Sequence, residues 1–360
     1  MKSDKITEKS FKIIIVGNKN RFFHLNQFAE ELEKRGIHVK IVHDIDFLQK
    51  KMDLDFVKRI KKNNNFMKIL DEFSPNVVLL DRISDIGKKV IKKNIPLWIL
   101  LRGNIWEETI WAKRTNNNSI KQRLSLQKNE KLIEYCFNNS DLILPISHYL
   151  ENIARDKYPE KKIAYFPGDG RIPNEWNFIK TCELKHPCVG LIQGLNIWGK
   201  TRELITLKKI LEGLPNVTFY LAGDGIYSKN IIPELTKFSN FVWLKNLDYP
   251  QEIKKIFSEI DVFLSLSGLE GLGQTIIEAL LMKKPVIASN VGGIPELITH
   301  NETGLLVKLG DSEKIIESIL KLLRDKELSR KIAENGHNII QKKYAWKNLA
   351  AEFELILKNQ

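Results

Sequence analysis

Two carboxylates, Glu270 and Glu278, stand with seven residues between them, and the first of those residues are Gly271, Leu272 and Gly273. A triplet of that kind turns tightly, and Gln274 to Met282 reads as an apolar helix. The first amides of a helix have no acceptor within it and attract anions. A phosphate held near Gln274 and Thr275 would have one acid in the loop before it and another inside the helix. A nucleotide-diphosphate sugar has that layout, with hydroxyl-rich groups on both sides of its phosphates.

Such a loop needs a rigid frame. Short apolar runs at Phe11–Val16, Ile37–Val42, Asn76–Asp81, Pro96–Arg102, Asp141–Pro145 and Lys162–Phe166 alternate with longer helical patterns, which indicates strands of a parallel sheet. The alternation restarts at Pro187 with Cys188–Gln193, Val217–Ala222, Phe241–Leu244, Asp261–Leu266 and Pro285–Ser289. Between the two series, Pro167-Gly168-Asp169-Gly170-Arg171-Ile172-Pro173-Asn174 is rich in turn formers and reads as the approach to a linker. Two α/β units are expected, one over residues 1–180 and one over 181–345. Doubly wound sheets bind ligands beyond the carboxyl ends of their strands, so the site is expected in a cleft between them.

The segment Leu269–Val307, LEGLGQTIIEALLMKKPVIASNVGGIPELITHNETGLLV, resembles the signature of retaining glycosyltransferases of the GT-B fold, family 4. Besides the two acids, the ordered series Pro285-Val286, Gly292-Gly293, Glu296 and Thr303-Gly304 carries the likeness. Upstream, Gly223-Asp224-Gly225 resembles the family's strand-ending turn, and Gly194 followed six residues later by Lys200 resembles its phosphate loop. The resemblance covers Pro187 to about Leu357. It implies two Rossmann-like domains facing across a cleft, with residues 346–360 forming a terminal helix that crosses back to the first.

It also implies roles. Lys200 would neutralise the diphosphate together with the amides of Gln274 and Thr275, without a metal or other cofactor. Glu278 would accept the ribose hydroxyls and Glu270 the hydroxyls of the donor sugar, while Gly194, Gly271, Leu272, Gly273, Gly223 and Asp224 would shape the donor side. Asp224 could equally serve only the turn between its glycines. Family members commonly have an Arg directly after the phosphate-loop glycine, where this chain has Leu195. The diphosphate is then one cation short unless Arg102, Arg171 or Arg202 supplies it. The family's glycine-rich turn after the first strand and its His after the fourth are replaced by Gly17-Asn18-Lys19-Asn20-Arg21 and Arg102-Gly103-Asn104. Gly17, Asn18, His24 and Arg102 are the candidates for acceptor or sugar contacts, and Asp81 also sits where a cleft-facing loop should be.

Composition narrows the rest. With 43% hydrophobic and 28% charged residues over 360 positions, the chain suits two globular domains, and no apolar run approaches the roughly 18 residues of a membrane span. The polar start MKSDKITEKS lacks a secretory apolar stretch, so a cytoplasmic location is expected. Cys136, Cys182 and Cys188 fit no metal-ligand spacing and are expected as reduced structural thiols. Of the net charge of +13, +11 falls in Met1–Lys180. Within it, Gln49–Leu70 sets Met52, Phe56, Ile60 and Met67 among Lys51, Lys58, Arg59, Lys61, Lys62 and Lys68. That is either a helix covering the sheet with a solvated basic face or a helix lying on an anionic membrane. Aromatic-interleaved basic motifs are absent, which argues against nucleic acid. The expected partners are a nucleotide-sugar donor and a glycan or lipid-linked acceptor. A catalytically silent GT-B module and an epimerase of the same architecture are the competing readings.

Overall fold

Runs such as Ile13–Val16 and Val77–Leu80 are apolar at every position, a pattern that suits strands covered on both faces. In a computed structural model that describes residues 11–47, 56–115, 119–180 and 184–359, they lie inside two wholly parallel sheets. The first contains β1 (Lys12–Gly17), β2 (His38–His43), β3 (Val77–Leu80), β4 (Leu97–Leu101) and β5 (Leu142–Pro145) in the order β2-β1-β3-β4-β5. The second contains β6 (Cys188–Ile192), β7 (Thr218–Ala222), β8 (Phe241–Lys245), β9 (Val262–Ser265), β10 (Val286–Ser289) and β11 (Leu305–Val307) in the order β11-β10-β9-β6-β7-β8. Helices make the crossovers that parallel pairing requires.

Both orders contain a switch point, where successive connections leave in opposite directions and open a crevice. In the first sheet it lies between β1 and β3, in the second between β6 and β9. The loops after those strands carry Asn18, Asp81, Gly194 and Glu270. Strand order alone therefore brings together residues from four distant parts of the chain.

Lys162–Phe166, expected as a strand, is not a regular one. It follows β5 through Ile143 N–H to the Lys162 carbonyl at 3.0 Å and Ala164 N–H to the Ile143 carbonyl at 3.1 Å. Pro167, which has no amide to donate, and the glycines after it turn the chain away.

The last helix, Trp346–Lys358, returns to the first sheet. Trp346 stacks on Phe28 at 4.8 Å and Phe353 meets Phe28 and Trp98 edge-on, all four rings buried. A Cβ at Gly170 would land in the Trp346 ring, so the Gly168–Arg171 turn fits under this helix only with glycine there. Arg171 N–H donates to the Tyr344 carbonyl at 2.8 Å and Trp346 N–H to the Arg171 carbonyl at 2.9 Å. The departing and returning strands of the chain are thereby tied at one point, and Asp169 and Arg171 are held at the cleft.

Much of Gln49–Leu70 lies outside the described residues: 48–55 entirely, and the side chains of 56–64, including Lys58, Arg59, Lys61 and Lys62. The helix itself runs Phe56–Phe73, and its described end buries Phe66 and Leu70 against the sheet. Met1–Ser10 and Cys182 are likewise outside. Among the described residues no helix is long and apolar enough to cross a membrane.

Candidate active site

The helix predicted after Glu270 spans Gln274–Leu281. Gly273 precedes it at φ 111°, a left-handed conformation that glycine adopts without a Cβ penalty. Ile276 and Ile277 N–H both reach back to the Gly273 carbonyl, so Gln274 and Thr275 present their amides ahead of the first helical acceptor. These amides, with Gly194 after β6 and Gly223 after β7, border a cavity of about 290 Å³. Glu278 closes one side, and Asn246, Leu247 and Tyr249, in the loop after β8, close another.

Behind the Glu270 loop, a Cβ at Gly292 (φ 56°) would strike the Glu270 carbonyl and one at Gly293 the Gly271 carbonyl. The Gly-Gly turn is thus the platform on which the loop rests. On the other side, a Cβ at Gly271 would strike the Arg102 carbonyl, so the two domains meet backbone to backbone there. Leu272 is buried and anchors the loop.

Glu278 is 2% exposed. Its Oε1 accepts from Arg171 Nη2 at 2.6 Å, Arg171 Nε at 3.1 Å and the Tyr249 hydroxyl at 2.8 Å. Tyr249 has one hydroxyl proton and gives it to Glu278, so its 2.7 Å contact with His24 must be donated by His24 Nε2. His24 Nδ1 then carries a lone pair, buried and without a partner. Burial, followed by the charges of Arg171, Arg21 and Arg102, drives the His24 pKa far down and keeps the ring neutral. Burial and Glu278 push the Tyr249 phenol up, so it stays protonated.

A second network crosses the cleft. Arg21 donates to Gln274 Oε1 at 2.7 Å and to Asp169 Oδ1 at 2.9 Å, and Gln274 Nε2 donates to the same Asp169 oxygen at 3.0 Å. Arg102 pairs with Asp81 at 2.8 Å and with Asp169. Asp81 Oδ2 and Asp169 Oδ2 remain buried without hydrogen-bond partners. With Arg171 and Glu278, three guanidinium groups and three carboxylates balance in formal charge, while several polar atoms stay unmatched. Unmatched buried polar atoms are costly, and a polar ligand relieves them.

Lys200 and Glu270 form a third group, with Nζ to Oε2 at 3.0 Å. Burial works against the Lys200 charge, but Glu270 and then Glu108 more than offset it and hold its pKa above the ordinary value. Glu108, from the helix Ile105–Thr115 of the first domain, is itself raised by burial. Trp111 of that helix packs on Gly199 and lies 4.4 Å beneath the Arg202 guanidinium. Glu296 reaches the other way, its two oxygens accepting the His148 and Tyr149 amides at 2.9 Å each, at the start of the helix His148–Lys157.

The structure therefore places Gly194, Gly223, Gln274, Thr275, Glu278 and His24 at one cavity, and Lys200 with Glu270 as a separate pair. Arg102 joins the charge network. Gly17 ends β1 with no room for a Cβ beside Leu25, and Asn18 starts the short turn that delivers Arg21. Asp224 lies outside the cavity lining. Its Oδ1 accepts the Gly225 amide at 2.7 Å, and Ser228, followed by this bond, holds its pKa low. Leu195 is fully buried in the core of the second domain. Arg171, not Arg202, is the guanidinium nearest the donor-side carboxylate. Sequence reading gave no role to Arg21, Asp169 or Tyr249. A charge within the Gly168-Asp169-Gly170 turn was the available signal for one of them, and Tyr249 carried none.

Residues 199–339 match the family model of glycosyl transferases group 1. The chain is 29% identical over 243 residues to an uncharacterized glycosyltransferase of Methanocaldococcus jannaschii, covering 64% of this chain and 60% of that one. It is 32% identical over 152 residues to a capsular polysaccharide biosynthesis glycosyltransferase of Staphylococcus aureus, covering 40% and 39%. The chain therefore spans less than two thirds of either relative. Among solved structures, sucrose-phosphate synthase from Thermosynechococcus elongatus superimposes with a TM-score of 0.76 at 15% identity over 97% of this chain and 98% of that one. HepE of Anabaena, in complex with UDP and glucose, gives 0.72 at 16% over 97% and 100%. Those identities speak to the fold. The second domain thus carries the likeness to glycosyl transferases group 1, and the whole chain has the GT-B fold of those structures.

Proposed function

We propose that this chain is a retaining, metal-independent glycosyltransferase that moves a sugar from a UDP- or GDP-linked donor to a hydroxyl of a glycan or lipid-linked acceptor. The observation that carries the reading is the cavity bounded by the Gln274 and Thr275 amides, Glu278 and the two glycine loops. Base and ribose enter between Gly194, Gly223 and Leu247. The ribose hydroxyls donate to Glu278, whose Oε1 is already fixed by Arg171 and Tyr249 and whose Oε2 is left to receive them. The diphosphate lies over the helix start with Lys200 beside it, and Glu270 holds hydroxyls of the donor sugar.

Transfer breaks the bond between the anomeric carbon and the diphosphate. Negative charge grows on the leaving oxygens, and fixed donors aimed there lower the barrier. The acceptor hydroxyl attacks from the face the diphosphate leaves, and its proton passes to a phosphate oxygen. In this reading residues 181–345 hold the donor, 1–180 face the acceptor and 346–360 tie them together. The basic excess of residues 1–180 supports a cytoplasmic enzyme working at an anionic membrane surface. Activity of Glu278→Ala toward a panel of UDP-, GDP-, ADP- and CDP-sugars tests the assignment: turnover equal to wild type in a folded variant would sink it.

One observation favours a second reading, a catalytically silent nucleotide-binding module. Leu195 points into the core and leaves the phosphate loop without a guanidinium. Slow hydrolysis of a nucleotide sugar in the absence of acceptor would exclude it.

A further inference from the structure

At the amino-terminal ends of β6 and β9, the two central strands of the second sheet, on the side opposite the cleft, three unlike ligand groups converge. Asp261 immediately precedes β9 and Cys188 opens the neighbouring β6, so strand pairing sets them side by side: Asp261 N–H donates to the Cys188 carbonyl at 3.2 Å. Asp261 Oδ2 accepts the Cys188 amide at 2.8 Å and lies 2.8 Å from His186 Nδ1. Cys188 Sγ is 3.6 Å from the same nitrogen. The three ligand atoms all lie within 4.8 Å of one another. Spacing along the chain hides the group, because 73 residues separate Cys188 from Asp261.

We propose that His186, Cys188 and Asp261 form a binding site for a borderline-soft divalent cation of the zinc type, with water completing a four-coordinate shell. Imidazole nitrogen, thiolate and carboxylate are the ligand set such an ion takes, with bonds of about 2.0–2.1 Å to nitrogen and about 2.3 Å to sulfur. Those bonds at a tetrahedral angle put nitrogen and sulfur about 3.5 Å apart, and the sulfur and nitrogen here are 3.6 Å apart. The nitrogen–oxygen contact is that of a hydrogen bond and must open by about 0.5 Å. The His186 side chain is 47% exposed and that of Asp261 24%, so both face solvent above the buried Cys188. Cys188 binds as the thiolate, so its proton leaves to solvent as the metal–sulfur bond forms. Nearby, Lys284 faces the group but is tied to the Ser258 and Ile260 carbonyls at 2.9 and 3.0 Å. The site is far from Glu270 and Glu278, so it would brace the chain where it enters the second sheet and take no part in transfer.

Titration of the full chain with cobalt(II) tests this. The expected result is a sulfur-to-cobalt charge-transfer band that saturates near one equivalent, is displaced by zinc and is absent in Cys188→Ser. His186→Ala, an exposed position where folding is not at stake, should weaken cobalt binding about tenfold or more. It carries the test if the serine variant does not fold. No band in the wild type, no saturation, or a band unchanged in both variants would overturn the proposal.

Discussion

Removing Glu278 and Arg171 singly and together separates two things that one carboxylate does. The pair is buried, with side chains 3% and 0% exposed, and a single oxygen of Glu278 joins Arg171 to Tyr249. Deleting one partner of a buried pair costs about 3–5 kcal/mol, because the other charge is stranded. Arg171 keeps the Asp169 and Gly170 carbonyls at 3.2 and 2.8 Å, which places Glu278→Ala at the low end, about 3 kcal/mol. For a domain of this size that lowers the melting temperature by about 6–12 °C. The same variant loses the acceptor for the ribose. A hydrogen bond to a charged group contributes about 1.5–3 kcal/mol, so donor affinity should fall about ten- to 150-fold. Arg171→Met on top of Glu278→Ala removes the stranded charge and puts apolar volume in its place. Stability should return to within about 1 kcal/mol of wild type, whereas nucleotide affinity should stay low. Urea unfolding and calorimetric titration, using whichever of UDP, GDP, ADP or CDP stabilises the wild type, read the two effects separately. The reasoning fails if the two substitutions simply add in stability, or if the double variant recovers nucleotide binding.

Folding holds His24 neutral, so below about pH 6.5 the unfolded chain takes up a proton that the folded chain does not. Stability from this group is complete above that pH and falls as the pH drops; His24→Gln should lose about 2 kcal/mol less than wild type between about pH 6.5 and pH 5, and equal slopes in chemical denaturation would refute it. Gly271→Ala puts a Cβ on the Arg102 carbonyl, where two backbones meet and neither can give. The domains should separate slightly and transfer fall about a hundredfold with donor binding retained; unchanged kcat would show that this contact is not part of the working closure. Glu296→Ala should free the His148 and Tyr149 amides, seen as about tenfold or greater acceleration of their hydrogen exchange, and exchange at the wild-type rate would place the cap outside the solution structure.

Local chemistry was legible where neighbours in sequence are neighbours in space. Apolar runs such as Ile13–Val16 and Val262–Leu264 had to be buried strands because each side chain must leave water whichever face it points to. The misread element, Lys162–Phe166, follows the same rule, since its apolar residues do run beside β5. What cut its pairing short was Pro167 and the turn beneath Trp346, a tertiary contact.

By itself the sequence determined the alternation of strands and helices in two α/β units and the helix start after Glu270, each signalled within a short stretch of consecutive residues. Only the tertiary structure decided which charges face each other. Arg171 meets Glu278 across 107 residues, His24 meets Tyr249 across 225, and Arg21 meets Gln274 across 253. It also turned Leu195 into the core and gathered His186, Cys188 and Asp261 at the amino-terminal ends of the central strands of the same sheet. The reason is physical: hydrogen bonding and charge compensation act over a few ångströms of space, and strand order, which no local pattern states, sets those distances.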